Sequence, residues 1–92
     1  MILNIKHRGL RRLFEDDDRR GLSADHVEKI ARVLARLQRA AQPEDMDLPG
    51  FRLHQLKGDY AGFWSVVIRA NWRIIFRFEG TDVKDVDFLD YH

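Results

Sequence analysis

A chain of 92 residues with 45% hydrophobic and 11% aromatic residues is the size of one domain, with enough apolar surface for one modest core around a sheet. It holds no cysteine, which excludes a disulfide framework, a thiolate metal centre and a cysteine nucleophile. The formal net charge of +1 hides a sorting of charge that leaves one region basic enough for a polyanion.

The opening residues Met1-Ile2-Leu3-Asn4-Ile5-Lys6 are charged too soon for the apolar core of a signal peptide, and no run approaches the roughly 20 apolar residues of a membrane span. A cytoplasmic protein with no membrane partner is expected. Ile2, Leu3 and Ile5 read as a short strand, followed by Leu10, Leu13 and Phe14 at helical spacing. The charge run Asp16 to Arg20 and Gly21 form a loop, and Ser23 is the expected N-cap of a long helix with Asp25 in its first turn. Val27, Ile30, Ala31, Leu34, Leu37 and Ala41 make its apolar stripe, and Lys29, Arg32, Arg36 and Arg39 make a basic outer ridge.

Pro43 and the stretch Asp45 to Gly50, with Pro49 inside it, break that helix. Phe51, Leu53 and Leu56 form a short apolar segment carrying His54 and Lys57, and Gly58-Asp59 marks a turn. Phe63 to Arg69 and Trp72 to Glu79 are rich in aromatic and β-branched residues around Ala70-Asn71, so they predict a central hairpin buried on both faces over part of its length. After Gly80-Thr81 a last strand runs from Val83 to Leu89 and ends at Asp90-Tyr91-His92. The predicted fold is a single α+β domain over residues 1–92: a small antiparallel-rich sheet with two or three helices on one face and the other face left for chemistry. No Gly-rich phosphate loop is present, no cofactor is expected, and a shallow site for a polymer fits the size.

His54 and His92 are the candidate proton carriers, because an unperturbed imidazole titrates near pH ~6.5. Their separation and the lack of further ligands at short spacing argue against a metal site. Arg73 alternates with Trp72 and Ile74. If those two face the helices, its guanidinium stands on the open face, where it can hold a phosphate by two parallel hydrogen bonds. Asp90 shares strand parity with His92, whereas Tyr91 points the other way unless the strand twists. Each residue taken alone is equally well a solvated side chain.

Taken together, Leu53-His54-Gln55-Leu56-Lys57-Gly58-Asp59, Phe63-Trp64-Ser65-Val66, Arg69-Ala70-Asn71-Trp72-Arg73-Ile74 and Asp90-Tyr91-His92 resemble the HigB branch of the RelE/ParE toxin superfamily. Lys6-His7-Arg8-Gly9-Leu10 and Leu13-Phe14-Glu15 extend the similarity to the start of the chain. The resemblance implies a microbial RNase-like fold and metal-independent cleavage of messenger RNA in the ribosomal A site. It places His54, Lys57, Arg73, Asp90, Tyr91 and His92 around the scissile phosphate. It also implies an antitoxin with a helix-turn-helix domain, through which alone operator DNA would be reached. The ridge Lys29, Arg32, Arg36 and Arg39 would then dock ribosomal RNA. The competing expectations are a ParE-like gyrase inhibitor and a non-catalytic protein acting with its antitoxin on operator DNA. Neither has a need for an imidazole, a phenol and a carboxylate gathered beside two cations.

Overall fold

The computed structural model describes residues 1–91, and His92 lies outside the described residues. Helix α1 spans Arg8–Asp16. His7 caps it, its Nδ1 accepting the Leu10 N–H at 3.2 Å, so an imidazole takes the place usually filled by a short polar side chain. The helix ends at Asp17 in the left-handed region (φ 54°), with the Asp17 and Asp18 amides donating to the Leu13 and Arg12 carbonyls. Asp tolerates that conformation better than most residues.

Helix α2 spans Val27–Arg39, later than Ser23 and Asp25 predict. The Ser23 hydroxyl accepts the Asp25 N–H at 3.3 Å, and the Ser23 carbonyl accepts from His26 and Val27. Ser23 therefore closes a turn of its own before the helix, as local side-chain bonding allows, and His26 occupies the cap position. The buried stripe is Val27, Ile30, Val33, Leu34 and Leu37. The stripe predicted from the sequence is corrected at its end: Ala41 is exposed beyond the helix, and Ala40 is buried after turning to extended backbone (ψ 138°). A 3-10 turn at Pro43–Met46 then sinks Met46 fully into the core.

Four strands follow: β1 His54–Gln55, β2 Trp64–Arg69, β3 Trp72–Glu79 and β4 Asp82–Asp90. They form one antiparallel sheet in the order β1-β2-β3-β4. Ala70-Asn71 makes the tight hairpin connection, with Ala70 at φ 51°. The predicted first strand is an extended segment beside β4 that pairs only through parallel bridges, Ile2 with Val83 and Ile5 with Val86. Between those bridges β4 bulges at Asp85 (φ 54°). The Asn4 side chain spans the gap, accepting the Asp85 N–H at 2.9 Å and donating to its carboxylate at 3.1 Å.

The helices pack on one face against Val66, Ile68, Ile74, Phe76, Val83 and Val86. The second face is less open than expected. Ser65, Ile75 and Leu56 are buried there outside the main cluster, beneath the excursion from Leu56 to Phe63, which is closed by the Leu56 N–H donating to the Phe63 carbonyl at 2.9 Å. What stays accessible is one end of that face, toward β1 and the Ala70-Asn71 turn. Among the described residues no helix is long and apolar enough to cross a membrane.

Candidate active site

The sheet register brings His54 and Arg73 onto one face. His54 lies opposite Ser65, Ser65 opposite Ile75 and Ile75 opposite Asp87, while the next row on the same face, two residues on, runs Val67, Arg73, Leu89. Directly paired residues present their side chains to the same face, so His54, Ser65 and Arg73 share the face away from the helices, and Ile74 points into the core. Arg73 donates from Nη1 to the Ser65 hydroxyl at 3.0 Å. Among the described residues Ser65 is the one buried polar side chain, with no solvent exposure. The Tyr91 ring lies 5.9 Å from the Arg73 guanidinium carbon, within cation–π range. Tyr91 is itself fixed by its N–H donating to the Asn71 carbonyl at 2.8 Å and by the edge of Tyr60, 5.8 Å between centroids. Arg73 Nε is buried and finds no acceptor among the described residues.

Lys57 is exposed at the head of the 3-10 turn Gly58–Tyr60, and its carbonyl accepts the Tyr60 N–H at 3.3 Å. One chain of contacts thus leads from the Lys57 backbone through Tyr60 and Tyr91 to Arg73. Asp90 is paired with Trp72, in the row adjacent to that of Arg73, so alternation sets it on the face opposite Tyr91. His92, the remaining candidate, lies outside the described residues.

A shallow cavity of about 280 Å³ is lined by Arg52, Leu53, His54 and Arg73. Arg52 and the supporting Ser65 and Tyr60 are absent from the sequence-derived set. Ser65 carries a signal as the one hydroxyl within Trp64-Ser65-Val66-Val67-Ile68, whereas Arg52, at φ 50°, departs from strand alternation and its spacing from His54 carries none. Among the described residues no group of three or more His, Cys, Asp or Glu side chains is placed to hold a metal ion.

The basic ridge is narrower than predicted. Arg32, Arg36 and Arg39 are exposed and line a groove of about 500 Å³ with Ala35, Leu48, Pro49 and Phe51. Lys29 instead turns toward the following loop and donates from Nζ to the Gly50 carbonyl at 2.9 Å. Partial burial, then the charges of Arg32 and Arg52, hold its ammonium below the usual lysine range.

The chain is thus an α+β domain of one antiparallel sheet, with helices on one face and a cavity lined by two arginines and a histidine on the other. A solved YoeB/ParE toxin from Agrobacterium tumefaciens shares the fold, with a TM-score of 0.57 at 23% identity over 100% of this chain and 99% of that one. The family model for the RelE-like toxin of type II toxin-antitoxin system HigB matches residues 3–92. The chain is 39% identical to the Proteus vulgaris protein named endoribonuclease HigB over 92 residues, 100% of both chains. It is 31% identical over 95 residues to toxin HigB-1 of Vibrio cholerae serotype O1, covering 100% of this chain and 98% of the relative. The chain belongs to the HigB-like family of RelE-type toxins. A toxin of a type II system has an antitoxin as its partner.

Proposed function

We propose that the chain is a toxin endoribonuclease that cuts messenger RNA in the ribosomal A site by metal-independent attack of a ribose 2′-hydroxyl on the adjacent phosphate. The observation that carries this reading is Arg73. Its guanidinium is held by Ser65 and faced by Tyr91, lines a cavity with His54 and Arg52, and keeps an Nε–H without an acceptor among the described residues. A phosphate entering that cavity supplies acceptors that fit the accessible edge of the planar guanidinium. The name of the Proteus vulgaris relative agrees in substrate class.

The reaction needs an acceptor for the 2′-hydroxyl proton, neutralisation of charge on the non-bridging oxygens and a donor for the leaving 5′-oxygen. In this reading Arg73 and Lys57 neutralise the phosphate, His54, Tyr91 and His92 share proton transfer, and Asp90, on the opposite face of the strand, is confined to orienting that end of the chain. Each such contribution is typically worth ~10²- to 10⁴-fold in rate. The open cavity of about 280 Å³ offers too little surface to hold a message by itself. The ribosome supplies the second wall, docked through Arg32, Arg36 and Arg39 with Lys29 behind them. The antitoxin carries a helix-turn-helix domain, and operator DNA is reached only through the toxin–antitoxin complex.

The test is cleavage of a defined message on programmed ribosomes, with free message as the control and the 5′ ends mapped. A second message carries a 2′-deoxy nucleotide at the mapped position. Cutting is expected within the A-site codon, on ribosomes only, and not at the deoxy nucleotide. Equal cutting of free message would remove the ribosome from the account, and cutting at the deoxy position would remove the 2′-hydroxyl mechanism.

A further inference from the structure

The cationic surface does not stop at the residues around Arg73. Phe51 is buried in the core, with its carbonyl accepting the Val67 N–H at 2.8 Å, and Leu53 packs against the same core. Arg52, between these two anchors, is exposed and held in the left-handed region at φ 50°. A non-glycine residue keeps that conformation only when its surroundings impose it, and here the two flanking apolar side chains do so. The result turns a guanidinium into the cavity shared with His54 and Arg73. Among the described residues it has no ion-pair partner.

Arg52 also connects two surfaces. Phe51 lines the groove flanked by Arg32, Arg36 and Arg39, and the next residue lines the cavity of Arg73. Lys29 stands between them, close enough to both Arg32 and Arg52 for their charges to depress its ammonium. Arg39, Arg36 and Arg32 along one cavity and Arg52 and Arg73 along the other are thus cations on two neighbouring surfaces, with Lys29 tied to Gly50 at the loop that joins them. Gathering like charges is unfavourable unless a polyanion lies along them, and a nucleic acid strand provides one phosphate per nucleotide.

We propose that Arg52 is a second phosphate subsite for the substrate strand, holding the phosphate next to the scissile one while Arg73 engages the scissile phosphate itself. The proposal rests on the endoribonuclease reading. Arg52 binds ground state and transition state alike, so it sets how tightly the strand is held and not how fast the bound strand is cut. Its place between the cavity of Arg73 and the Lys29–Gly50 contact sets the direction in which the message leaves the site, toward Lys29 and α2.

The experiment uses the full chain and whichever substrate the wild type cleaves, programmed ribosomes or free message, under single-turnover conditions at several salt concentrations. Arg52→Gln is expected to raise the half-saturating concentration about tenfold with the maximal rate within about twofold, and to lower the salt dependence by about one phosphate contact. Arg52→Lys is expected to recover most of the binding. A message with a neutral methylphosphonate at the neighbouring linkage should weaken wild type by a similar factor and leave Arg52→Gln nearly unaffected. The idea fails if Arg52→Gln matches wild type, or if its loss falls on the maximal rate. It fails too if the loss persists in full on the neutral linkage, which would move the contact to ribosomal RNA. Arg73→Gln is run alongside: full cleavage by that variant defeats the active-site reading itself, whatever Arg52 does. Thermal melts of each variant confirm that folded protein is compared.

Discussion

At the scale of single residues the site depends on how Arg73 is held. Its guanidinium has a buried hydroxyl on one side, Ser65 at 3.0 Å, and an aromatic ring facing it, Tyr91 at 5.9 Å. Long cationic side chains lose much rotamer freedom when fixed, and a residue fixed in advance does not lose it again during catalysis. Ser65→Ala removes the acceptor and leaves a second guanidinium donor unmatched, at a cost of about 1–3 kcal/mol. The expected result is a maximal cleavage rate lowered about tenfold, with the midpoints of the pH–rate profile unchanged, because Ser65 positions a cation and carries no proton. Measured by single-turnover kinetics across pH, an unchanged rate or a displaced midpoint would contradict this role. Ser65 was hard to read in the sequence because a serine within a buried strand signals neither face nor partner. Arg52 was missed for a related reason: its positive φ departs from strand alternation, so its kinship with His54 shows only in three dimensions.

At the scale of elements the hairpin and the two helices were legible, because their hydrophobic periods of 2 and 3.6 residues are set by burial. The errors fall where side chains bond locally. Ser23 signals a helix start but closes a preceding turn, and Ala41 fits the helical period but follows the stop at Arg39. The opening segment reads as a strand, yet its pairing with β4 is broken by the Asp85 bulge, and nothing in the alternation of residues 2 to 6 foretells it. Asp85 binds three elements there. Its carboxylate accepts from Arg77 Nη2 at 2.7 Å and Nε at 2.9 Å and from Asn4, and these bonds, Asn4 first and Arg77 next, hold its pKa below the usual carboxylate value.

A folded-state pKa below the unfolded one gives stability that is present above the unfolded value and lost as pH falls through the folded one. Asp85→Asn keeps a residue tolerant of positive φ while removing the charge. It is expected to destabilise by about 1 kcal/mol at neutral pH, as for a partly exposed ion pair, with the difference from wild type shrinking as pH falls below about 4. Denaturant titrations at pH 7 and pH 3 check it. A difference of the same size at both would assign the loss to packing and not to charge.

At the scale of the whole molecule, the sheet is a platform with one face given to the helices and half of the other to the Leu56–Phe63 excursion. That leaves one end of the second face open, lined by Arg52, His54 and Arg73. The α+β class was legible from the order of helical and strand periods, and the face of Arg73 from its alternation with Trp72 and Ile74, whereas His54 joined Arg73 only through the family resemblance. The shape of the exposed region was not legible, since the excursion covers it through Leu56, Tyr60 and Phe63, residues that read from the sequence as a turn with apolar flanks. Formal charge was equally uninformative at +1, because the cations cluster along α2 and its following loop while carboxylates such as Asp82, Asp85 and Asp87 are spent on β4.

Arg73 is where β1, β2, β3 and the Tyr91 end of the chain meet, so the account stands or falls there. The most direct measurement is single-turnover cleavage of message on programmed ribosomes by wild type and Arg73→Gln, both verified as folded by thermal melting. The account predicts a rate lowered by ~10²- to 10⁴-fold, as for loss of a group that stabilises developing charge, with little change in the melting temperature. A variant that cuts at the wild-type rate would show that the cavity formed by Arg52, His54 and Arg73 is not where RNA is cleaved.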